Sequence, residues 1–512
     1  MLAKVYGAAV QGIDATLITI EVNNSRGCMF YLVGLPDSAV KESQQRIRSA
    51  LQVCGYKLPT TTLTINMAPA DIRKEGSAYD LPLAIGILTS CEIIAPQNLS
   101  DYMIMGELSL DGTLQPVKGA LPIAIKAREL GYKGIIVPQQ NAREAAVVNN
   151  LEVYGATNIK EVIGFFTGEH RLEQVVVNTR EEFYARQSTF DLDFADVKGQ
   201  ENVKRALEVA AAGGHNILLI GAPGSGKSML AKRIPSILPP LSLGESLETT
   251  KIHSVAGKLG RDGGLISTRP FRSPHHTISS VAMTGGGSFP QPGEISLAHN
   301  GVLFLDEFPE YQRNVLEVLR QPLEDRKISI SRVKCNVEYP ASFMLVASMN
   351  PCPCGYYNHP TKACVCSPGQ VQKYLNRISG PLLDRIDLHV EVIPVPFDKM
   401  SDATPGESSD LIRQRVIRAR QLQEARYRDV SGVYCNAQMT SRLLTQFARP
   451  DEKGLSLLKN AMNRLNLSAR AYDRILKVAR TIADLEGSEM ITSSHLGEAI
   501  GYRSLDREDW AG

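Results

Sequence analysis

Long apolar segments are missing from this sequence: no run of about 18 apolar residues, the length that spans a bilayer, occurs among its 512 residues. The opening stretch, Met1–Gly7, also lacks the apolar core of a secretory signal. Both absences disfavour a membrane or secreted protein, so we expect a cytoplasmic protein without a membrane partner. The 43% hydrophobic and 21% charged residues are typical of a globular protein.

An excess of charge of one sign is missing as well. Lys and Arg total 56 against 54 Asp and Glu, which leaves a formal net charge of +2. This excludes a protein that holds nucleic acid with its whole surface, so any such contact must be local. The chain is also too long for a single hydrophobic core, and we expect several domains.

Cysteines are few and unevenly spread, because four of the nine lie between positions 352 and 366. An odd, clustered set disfavours a disulfide framework and favours a reducing compartment. Four soft thiolates in one short loop fit a tetrahedral structural Zn²⁺ site. The candidate ligands are Cys352, Cys354, Cys364 and Cys366. Two alternatives stay open: His359 replaces one sulfur, or the thiols are reduced and bind no metal.

The most informative stretch is a strand-like run, Ile217–Ile220, that stops at a glycine-rich turn before a helical pattern. The turn fits G-x-x-x-x-G-K-[ST], the phosphate-binding loop, whose backbone N–H groups converge on an anion. We expect Lys227 to reach the β- and γ-phosphates of ATP and Ser228 to ligate Mg²⁺. The predicted nucleotide-binding residues of this loop are Gly221, Ala222, Pro223, Gly224, Ser225, Gly226, Lys227 and Ser228.

Two further apolar runs end in polar side chains. Gly301–Leu305 is followed by Asp306 and Glu307, two adjacent carboxylates. Asp306 suits Mg²⁺ held through water, and Glu307 suits a base that orients and deprotonates the attacking water. Phe343–Met349 ends in Asn350, a candidate to hydrogen-bond the γ-phosphate or that water.

The first 175 residues read as a separate α/β domain that resembles the Lon-protease-type fold. The likeness is carried by residues 74–81 and 106–119. Laid on that motif, the nucleophilic serine falls on Ala78 and the lysine base on Leu121, which predicts a catalytically inactive domain. Ser77 and Lys118 lie one to three places out of register and are the alternative dyad.

Three later segments resemble the magnesium-chelatase-type AAA+ family: Arg269–Thr277, Gly285–Gly287 and Pro292–His299. Together with the Lon-like domain they narrow the resemblance to the ComM/YifB family, over essentially the whole chain. The resemblance implies an α/β fold with an AAA+ core, insertions in helix 2 and before the first sensor, and a C-terminal helical lid. It also implies a hexameric ring that hydrolyses ATP to drive branch migration and helicase activity on single-stranded or branched DNA. Natural transformation would be its setting, and recombination proteins are further candidate partners.

In ring ATPases of this type, a subunit supplies an arginine to the active site of its neighbour. Arg385 is the candidate here, because such a charge stabilises the γ-phosphate in the transition state. The alternative is a surface ion pair with Asp384. Arg470, in a predicted lid helix, matches the position of the second-sensor arginine.

These features predict four regions: a Lon-like domain over 1–175, a linker over 176–193, the ATPase core over 194–397, and the lid over 410–505. We expect the lid to cover the nucleotide.

Two insertions in the core are candidate DNA contacts. Phe271–Pro292 is glycine-rich and loop-like, whereas the alternation in Arg326–Lys334 predicts a β-hairpin with Arg332 and Lys334 at or near its tip. Basic side chains there would hold phosphates without reading the sequence, and a solvated turn is the alternative.

Two rival functions share parts of this pattern. A metal-insertion ATPase subunit of the magnesium-chelatase type shares the ATPase motifs. An ATP-dependent protease is disfavoured by Ala78 and Leu121.

Overall fold

The computed structural model describes residues 2–56, 60–187, 189–260, 263–287, 290–332, 335–395, 405–464 and 467–503. Lys334 and the predicted boundaries at 397 and 505 lie outside these ranges. Within them, no helix is both long and apolar enough to cross a bilayer.

The N-terminal domain is organised around a seven-stranded mixed sheet in the order β3-β4-β2-β1-β5-β8-β9. Its strands are β1 (Leu2–Gln11), β2 (Asp14–Ser25), β3 (Phe30–Val33), β4 (Thr62–Ala68), β5 (Tyr102–Ile104), β8 (Gly134–Pro138) and β9 (Glu152–Ala156), with a separate hairpin of β6 (Glu107–Leu108) and β7 (Leu114–Gln115). Its helices are α1 (Ser38–Val53), α2 (Asp80–Ser90), α3 (Ala120–Glu129), α4 (Gln139–Ala145) and α5 (Ile159–Thr167). Helix α2 is buried along its whole length because it packs against β1 and β2.

The alternative Lon-type dyad of Ser77 and Lys118 does not form in the described residues of this domain. Ala78 and Leu121 occupy the two motif positions, and Ser77 Oγ hydrogen-bonds the Glu107 carboxylate instead of a lysine. The side chain of Lys118 lies against Gly257 of the next domain, where an added Cβ would come within 3.1 Å of it.

The stretch predicted as a polar linker contains helix α6 (Thr179–Arg186). Phe183 is buried within it, and Glu182 pairs with Arg143 of the first domain at 3.0 Å. Gln187 donates to the carbonyl oxygen of Leu241 in the second domain at 2.7 Å. The linker is therefore attached to both neighbours by a buried aromatic ring and polar contacts, which its composition did not indicate.

The central domain is built on a five-stranded parallel sheet in the order β11-β14-β17-β10-β18. Its strands are β10 (Ile217–Gly221), β11 (Phe271–Arg272), β14 (Val302–Leu305), β17 (Met344–Met349) and β18 (Leu388–Val392). Three of them are buried at every residue, as continuous apolar runs covered on both faces by helices should be. The helices are α7 (Glu201–Gly213), α8 (Lys227–Ile237), α9 (Leu243–Val255), α10 (Ser280–Thr284), α11 (Glu294–Leu297), α12 (Arg313–Glu317), α13 (Arg320–Asp325), α14 (Pro368–Leu375) and α15 (Gly380–Leu383).

Both predicted insertions are present in this domain. The first contains α10 and a small pair of strands, β12 (Gly285–Gly286) and β13 (Gln291–Pro292). The second is the predicted hairpin, formed by antiparallel β15 (Lys327–Arg332) and β16 (Cys335–Pro340). Its inward side chains, including the buried Ile328, Ile330 and Tyr339, join the core beneath the sheet.

The C-terminal helices are α16 (Ser409–Tyr427), α17 (Ser441–Phe447), α18 (Glu452–Arg464), α19 (Ala469–Leu485) and α20 (Ser493–Gly501). They pack against α7 and α8 and against residues that precede β10 and β18. His215, just before β10, contacts Thr481 at 2.8 Å, and Asp387, just before β18, contacts Arg474 at 2.6 Å.

We call the side of the five-stranded sheet where its strands begin the amino edge, and the side where they end the carboxyl edge. The helical domain contacts the amino edge through a buried polar network, centred on His215 and Asp387, that the sequence pattern does not reveal. Its expected role as a cover over the nucleotide remains a prediction.

Candidate functional site

The phosphate loop, Gly221–Ser228, lies at the carboxyl edge between β10 and α8. Gly224 and Gly226 have φ values of 78° and 94°, in the left-handed region that favours glycine. A Cβ at Gly221 would lie 2.4 Å from a carbonyl oxygen of β18, so only glycine fits there. The buried Ser225 Oγ has no hydrogen-bond partner among the described residues. An unpaired hydroxyl beside a glycine loop and a helix N-terminus fits a phosphate ligand.

Lys227, the first residue of α8, folds back over this loop. Its Nζ donates to the carbonyl oxygens of Gly221 at 2.6 Å and Ala222 at 2.9 Å, and to Asn350 Oδ1 at 3.3 Å. Burial lowers the pKa of Lys227, although the Asp306 carboxylate acts in the opposite direction. Lys227 and Asn350, the two side chains predicted to contact the γ-phosphate, therefore already lie within hydrogen-bonding distance of each other.

Asp306 is held by hydroxyl and backbone donors at the end of β14. Ser228 Oγ donates to its Oδ2 at 2.7 Å, and the backbone N–H of Glu307 donates to its Oδ1 at 3.1 Å. Ser348 Oγ also donates to Oδ1. Mg²⁺ prefers carboxylate, hydroxyl and water oxygens, so Ser228 and Asp306 fit the predicted ion.

Glu307 occupies an unusual backbone position, with φ at 54°. Its Oε2 lies 3.0 Å from Nδ1 of His276, and its side chain remains 57% exposed. The His276 ring in turn contacts the edge of Tyr311, whose hydroxyl donates to the carbonyl oxygen of Pro274 at 2.6 Å. The predicted base is thus exposed enough to meet water, and a side chain of the first insertion holds its carboxylate.

The segment of residues 352–366, which we call the cysteine loop, follows Asn350 directly. A Cβ at Gly355 would lie 2.5 Å from Pro223, so this loop rests against the phosphate loop. The four predicted ligand sulfurs all lie within 4.8 Å of one another. Cys352 Sγ lies 3.3 Å from Cys354 Sγ and 3.7 Å from Cys364 Sγ. Tetrahedral zinc with bonds of about 2.3 Å would place its sulfurs about 3.8 Å apart, so the cluster fits Zn²⁺.

The charge states of these thiols depend on each other. Burial disfavours the Cys354 thiolate, but the backbone N–H groups of Tyr356 and Val365 outweigh it and lower its pKa to about 6. At Cys364, the N–H of Cys366 favours the thiolate, but burial and neighbouring sulfurs raise the pKa to about 12. Adjacent thiolates repel, and a dication at their centre would relieve that repulsion.

His359 lies apart from the sulfur cluster. Its Nδ1 accepts from the backbone N–H groups of Thr361 and Lys362, and its ring packs on Tyr356. The structure therefore does not favour histidine as a substitute ligand.

The two arginine candidates lie at the amino edge. Arg385 is buried, donates to the Glu324 carboxylate and to the carbonyl oxygen of Pro381, and has an Nε without a partner among the described residues. Arg470 is 65% exposed and pairs at 3.4 Å with Asp384, which was the alternative partner of Arg385.

Strand register shows how far Arg385 lies from its own phosphate loop. Leu388 pairs with Ile217 and Val392 pairs with Gly221, so β18 and β10 run side by side along their whole lengths. Arg385 precedes β18, and a five-residue strand is about 16 Å long. Arg385 therefore cannot reach the γ-phosphate position of its own subunit.

The predicted DNA contacts are only partly described. Arg332 is the last paired residue of β15, opposite Cys335, and Lys334 lies outside the described residues. At the base of the hairpin, Lys327 pairs with Glu338 at 2.9 Å. A role of Arg332 and Lys334 in binding DNA remains a prediction.

Two residues of the site were missed by sequence reasoning. Ser348 lies near the end of β17, two residues before Asn350, and this spacing of two signals that both side chains share an environment. His276 lies in the first insertion, and no local pattern connects it to Glu307.

Comparisons with known families match most of the chain. The family models described as "Magnesium chelatase, subunit ChlI", "Subunit ChlI of Mg-chelatase" and "Magnesium chelatase, subunit ChlI C-terminal" match residues 193–400, 20–141 and 406–503. With the parallel sheet and phosphate loop, these matches define a magnesium-chelatase-like AAA+ protein.

Individual relatives narrow this class. Competence protein ComM of Haemophilus influenzae is 44% identical over 99% of this chain and 98% of its own length. The uncharacterized protein YifB of Escherichia coli is 45% identical over 99% and 98%, respectively. Lon protease 2 of Bacillus subtilis is 26% identical over 28% of this chain and 24% of its own length, so the Lon-like similarity is partial. The chain belongs to the ComM/YifB family.

Proposed function

We propose that this chain is one subunit of a homo-oligomeric, six-membered ring that hydrolyses ATP to move DNA. The ring would act in the cytoplasm on single-stranded or branched DNA. It would catalyse branch migration and unwinding during natural transformation and homologous recombination. The observation that carries the oligomeric part is the separation of Arg385 from its own phosphate loop by the length of the sheet. An arginine in that position can serve only the ATP of another subunit.

The carboxyl edge would bind and activate ATP. Backbone N–H groups of the phosphate loop and the ammonium of Lys227 would hold the phosphates. Mg²⁺, held by Ser228 and Asp306, would neutralise phosphate charge when bound. Ser348 fixes the orientation of Asp306, since its hydroxyl donates to the carboxylate.

Glu307 would take a proton from the attacking water, and Asn350 would orient that water or the γ-phosphate. The His276 contact holds the Glu307 carboxylate at 3.0 Å and limits where it can turn. A neighbouring subunit would complete the site with Arg385, whose charge stabilises the transition state. Arg470 lies at the same amino edge, paired with Asp384, so it too is available to a neighbour.

The DNA part of the proposal is supported by two observations of a different kind. A full-length relative is named a competence protein, and the basic residue Arg332 belongs to the last pair of the hairpin. Phosphate contacts from such a hairpin would grip DNA of any sequence. The rival function, a magnesium-chelatase-type metal-insertion subunit, has less support, because the full-length relatives are ComM and YifB.

ATP turnover with and without a four-way DNA junction tests the function. We expect the junction to stimulate the wild-type protein, and the Glu307→Gln variant to lose roughly 10²- to 10⁴-fold in turnover while still binding ATP. Replacing Arg332 and Lys334 with Ala should preserve basal turnover but abolish stimulation and flatten the salt dependence of DNA binding. Lys327→Ala, at the ion-paired base of the hairpin, is the matched control and should respond normally.

The outcomes separate the alternatives. Junction-independent turnover by a protein that assembles with MgATP would contradict the DNA role but leave the ring intact. A protein that stays monomeric with MgATP and ignores the junction would overturn both parts.

We also propose that the cysteine loop holds one structural Zn²⁺. The four sulfurs would fill its coordination, leaving no open position for a reacting water. Protein purified without added metal should contain about one zinc per subunit, and Cys364→Ser with Cys366→Ser should lower that content. Because the loop rests on Pro223, we expect the double variant to bind ATP more weakly as well. A zinc content near zero in folded wild-type protein would remove this site.

A further inference from the structure

A cavity lies at the amino edge of the sheet, at the opposite end of the strands from the phosphate loop. Its volume is about 770 Å³, and it opens where helix α6, the central domain and the helical domain meet. The residues that precede four of the five strands line its floor, namely Asn216, Gly301, Phe343 and Asp387. This volume lies within the range of roughly 300 to 1,000 Å³ that is usual for small-molecule sites.

Four arginines line this cavity, together with the acidic residues Glu245, Glu248, Glu424 and Asp387. Arg474 pairs with Asp387 at 2.6 Å, which leaves three guanidinium groups from separate segments, those of Arg269, Arg326 and Arg420. They converge near Cys435, which contributes to the electrostatic environment of Arg269 and Arg326. Arg420 also lies beside that thiol, because a Cβ placed on Gly214 would meet Cys435 Sγ at 2.8 Å and Arg420 Nη2 at 3.1 Å. Arg420 and Cys435 are therefore neighbours, and all three arginines face the same cavity.

Two of these arginines have no acidic partner in the described part of the chain. Arg326 donates to the carbonyl oxygen of Gly432 at 3.2 Å, and Arg420 to that of Ala211 at 3.2 Å. The buried Nε of Arg420 has no hydrogen-bond partner among the described residues. Arg269 differs, since it pairs with Glu245 at 3.3 Å.

Such an arrangement is costly without a counter-ion. Half-buried guanidinium groups stay charged, and buried charges in proteins are normally paired. Burial lowers the pKa of Arg269, and the neighbouring Arg420 charge acts in the same direction. Burial likewise lowers the pKa of Arg326. An anion placed between the three groups would offset this repulsion and would satisfy the free Nε.

We propose that this cavity binds a small ligand with two or more linked phosphates, such as a nucleoside polyphosphate. Arginine forks match phosphate oxygens, and the rings of Tyr184, Phe343 and Tyr434 on the cavity wall offer faces for a base. The site is distinct from the phosphate loop, and its existence does not depend on the chain acting on DNA.

The ligand would connect the hairpin and the helical domain. Arg326 immediately precedes β15, the first strand of the hairpin, whereas Arg420 lies on α16 of the helical domain. A phosphate held by both would fix the base of the hairpin relative to the helical domain. Ligand binding would therefore change the degree to which a partner bound at the hairpin, such as DNA, stimulates ATP turnover.

Pyrophosphate binding, measured by calorimetry, tests the proposal. The Lys227→Ala variant serves as the background, so that the phosphate loop contributes little. Adding Arg326→Gln and Arg420→Gln should weaken pyrophosphate binding at least about tenfold. Arg418→Gln, an exposed arginine on the same helix, is the matched control and should bind as the background does.

Thermal unfolding without ligand distinguishes a binding role from a structural one. Removing charges that repel one another should leave the melting temperature unchanged or raise it, while the stabilisation by added pyrophosphate disappears. A lower melting temperature in the Arg326→Gln, Arg420→Gln variant with unchanged pyrophosphate affinity would show that the arginines are structural. Altered subunit assembly with unchanged affinity would show that the cavity receives a neighbouring chain. Either result would overturn the proposal.

Discussion

The two edges of the five-stranded sheet differ in how their charged side chains are paired. At the carboxyl edge, Lys227, Asn350, Asp306 and its serine partners hydrogen-bond one another within one compact site. At the amino edge, arginines face acidic groups, backbone carbonyls or an open cavity, and Arg385 cannot reach the phosphate loop of its own subunit. One edge is nearly complete by itself, whereas the other presents groups that need a partner from outside the domain.

In the proposed ring, a single chain carries every group of the ATP site but does not bring them together by itself. The parallel sheet keeps its two ends about 16 Å apart, so only a second subunit can bring the amino edge of one chain to the carboxyl edge of another. The proposed ring follows from that geometry.

The largest effect should come from removing the arginine at the amino edge. Arg385→Ala should slow ATP turnover by about 10³-fold or more, because the transition-state charge loses its stabilising cation. Mixing Arg385→Ala protein with Glu307→Gln protein tests the comparison directly. Mixed interfaces would pair an intact carboxyl edge with an intact amino edge, so turnover should exceed that of either variant alone.

The control for this experiment is a mixture of Arg385→Ala protein with an Arg385→Ala, Glu307→Gln double variant, which supplies no intact amino edge. Recovery there, or none in the first mixture when mixed rings form, would contradict a role of Arg385 in a neighbouring site.

A second test concerns the polar network that holds the helical domain at the amino edge. Asp387 is fully buried and contacts Arg474 at 2.6 Å and His215 at 3.2 Å. Arg474→Leu would leave that carboxylate without its cation and should lower the free energy of unfolding by about 3 to 5 kcal/mol. Arg470→Leu, on the same helix but 65% exposed, should cost about 1 kcal/mol or less.

Chemical denaturation followed by circular dichroism measures both values. Equal losses for Arg474→Leu and Arg470→Leu would mean that the buried network does not hold the helical domain.

The third effect is a gradual dependence of stability on pH. Burial lowers the pKa of His215, His253 and His389. As the pH falls, these histidines therefore take up protons in the unfolded chain before they do so in the folded chain. Below about pH 6.5 the unfolded state binds more protons, and the free energy of unfolding should fall by up to about 1.4 kcal/mol per pH unit for each histidine.

Unfolding curves between pH 7.5 and 5 check this sign. His215→Gln should reduce the slope, and a wild-type stability that rises on acidification would contradict it.

Much of the site could be predicted because its groups follow local rules. A glycine-rich turn between a strand and a helix identified the phosphate loop, and apolar runs ending in Asp306, Glu307 and Asn350 identified two more strand ends. The predicted hairpin was confirmed because its alternation has a period of two residues. The first strand, Leu2–Gln11, was missed because its start was considered only as a targeting segment.

Other features depend on residues far apart in the chain. His276 and Glu307 are 31 positions apart, and only the packing of the first insertion brings their side chains together. The predicted polar linker contains a helix that packs on its neighbours, because the side chain of Phe183 is buried. Composition alone does not reveal this burial.

By itself, the sequence determined which chemical groups are present and which strand or turn carries each, because short spacing and periodicity are properties of neighbouring residues. Only the tertiary structure decided on which edge of the sheet those groups lie. The direction of parallel strands and the buried contacts of His215 and Asp387 set that placement, and both arise from pairings between distant parts of the chain.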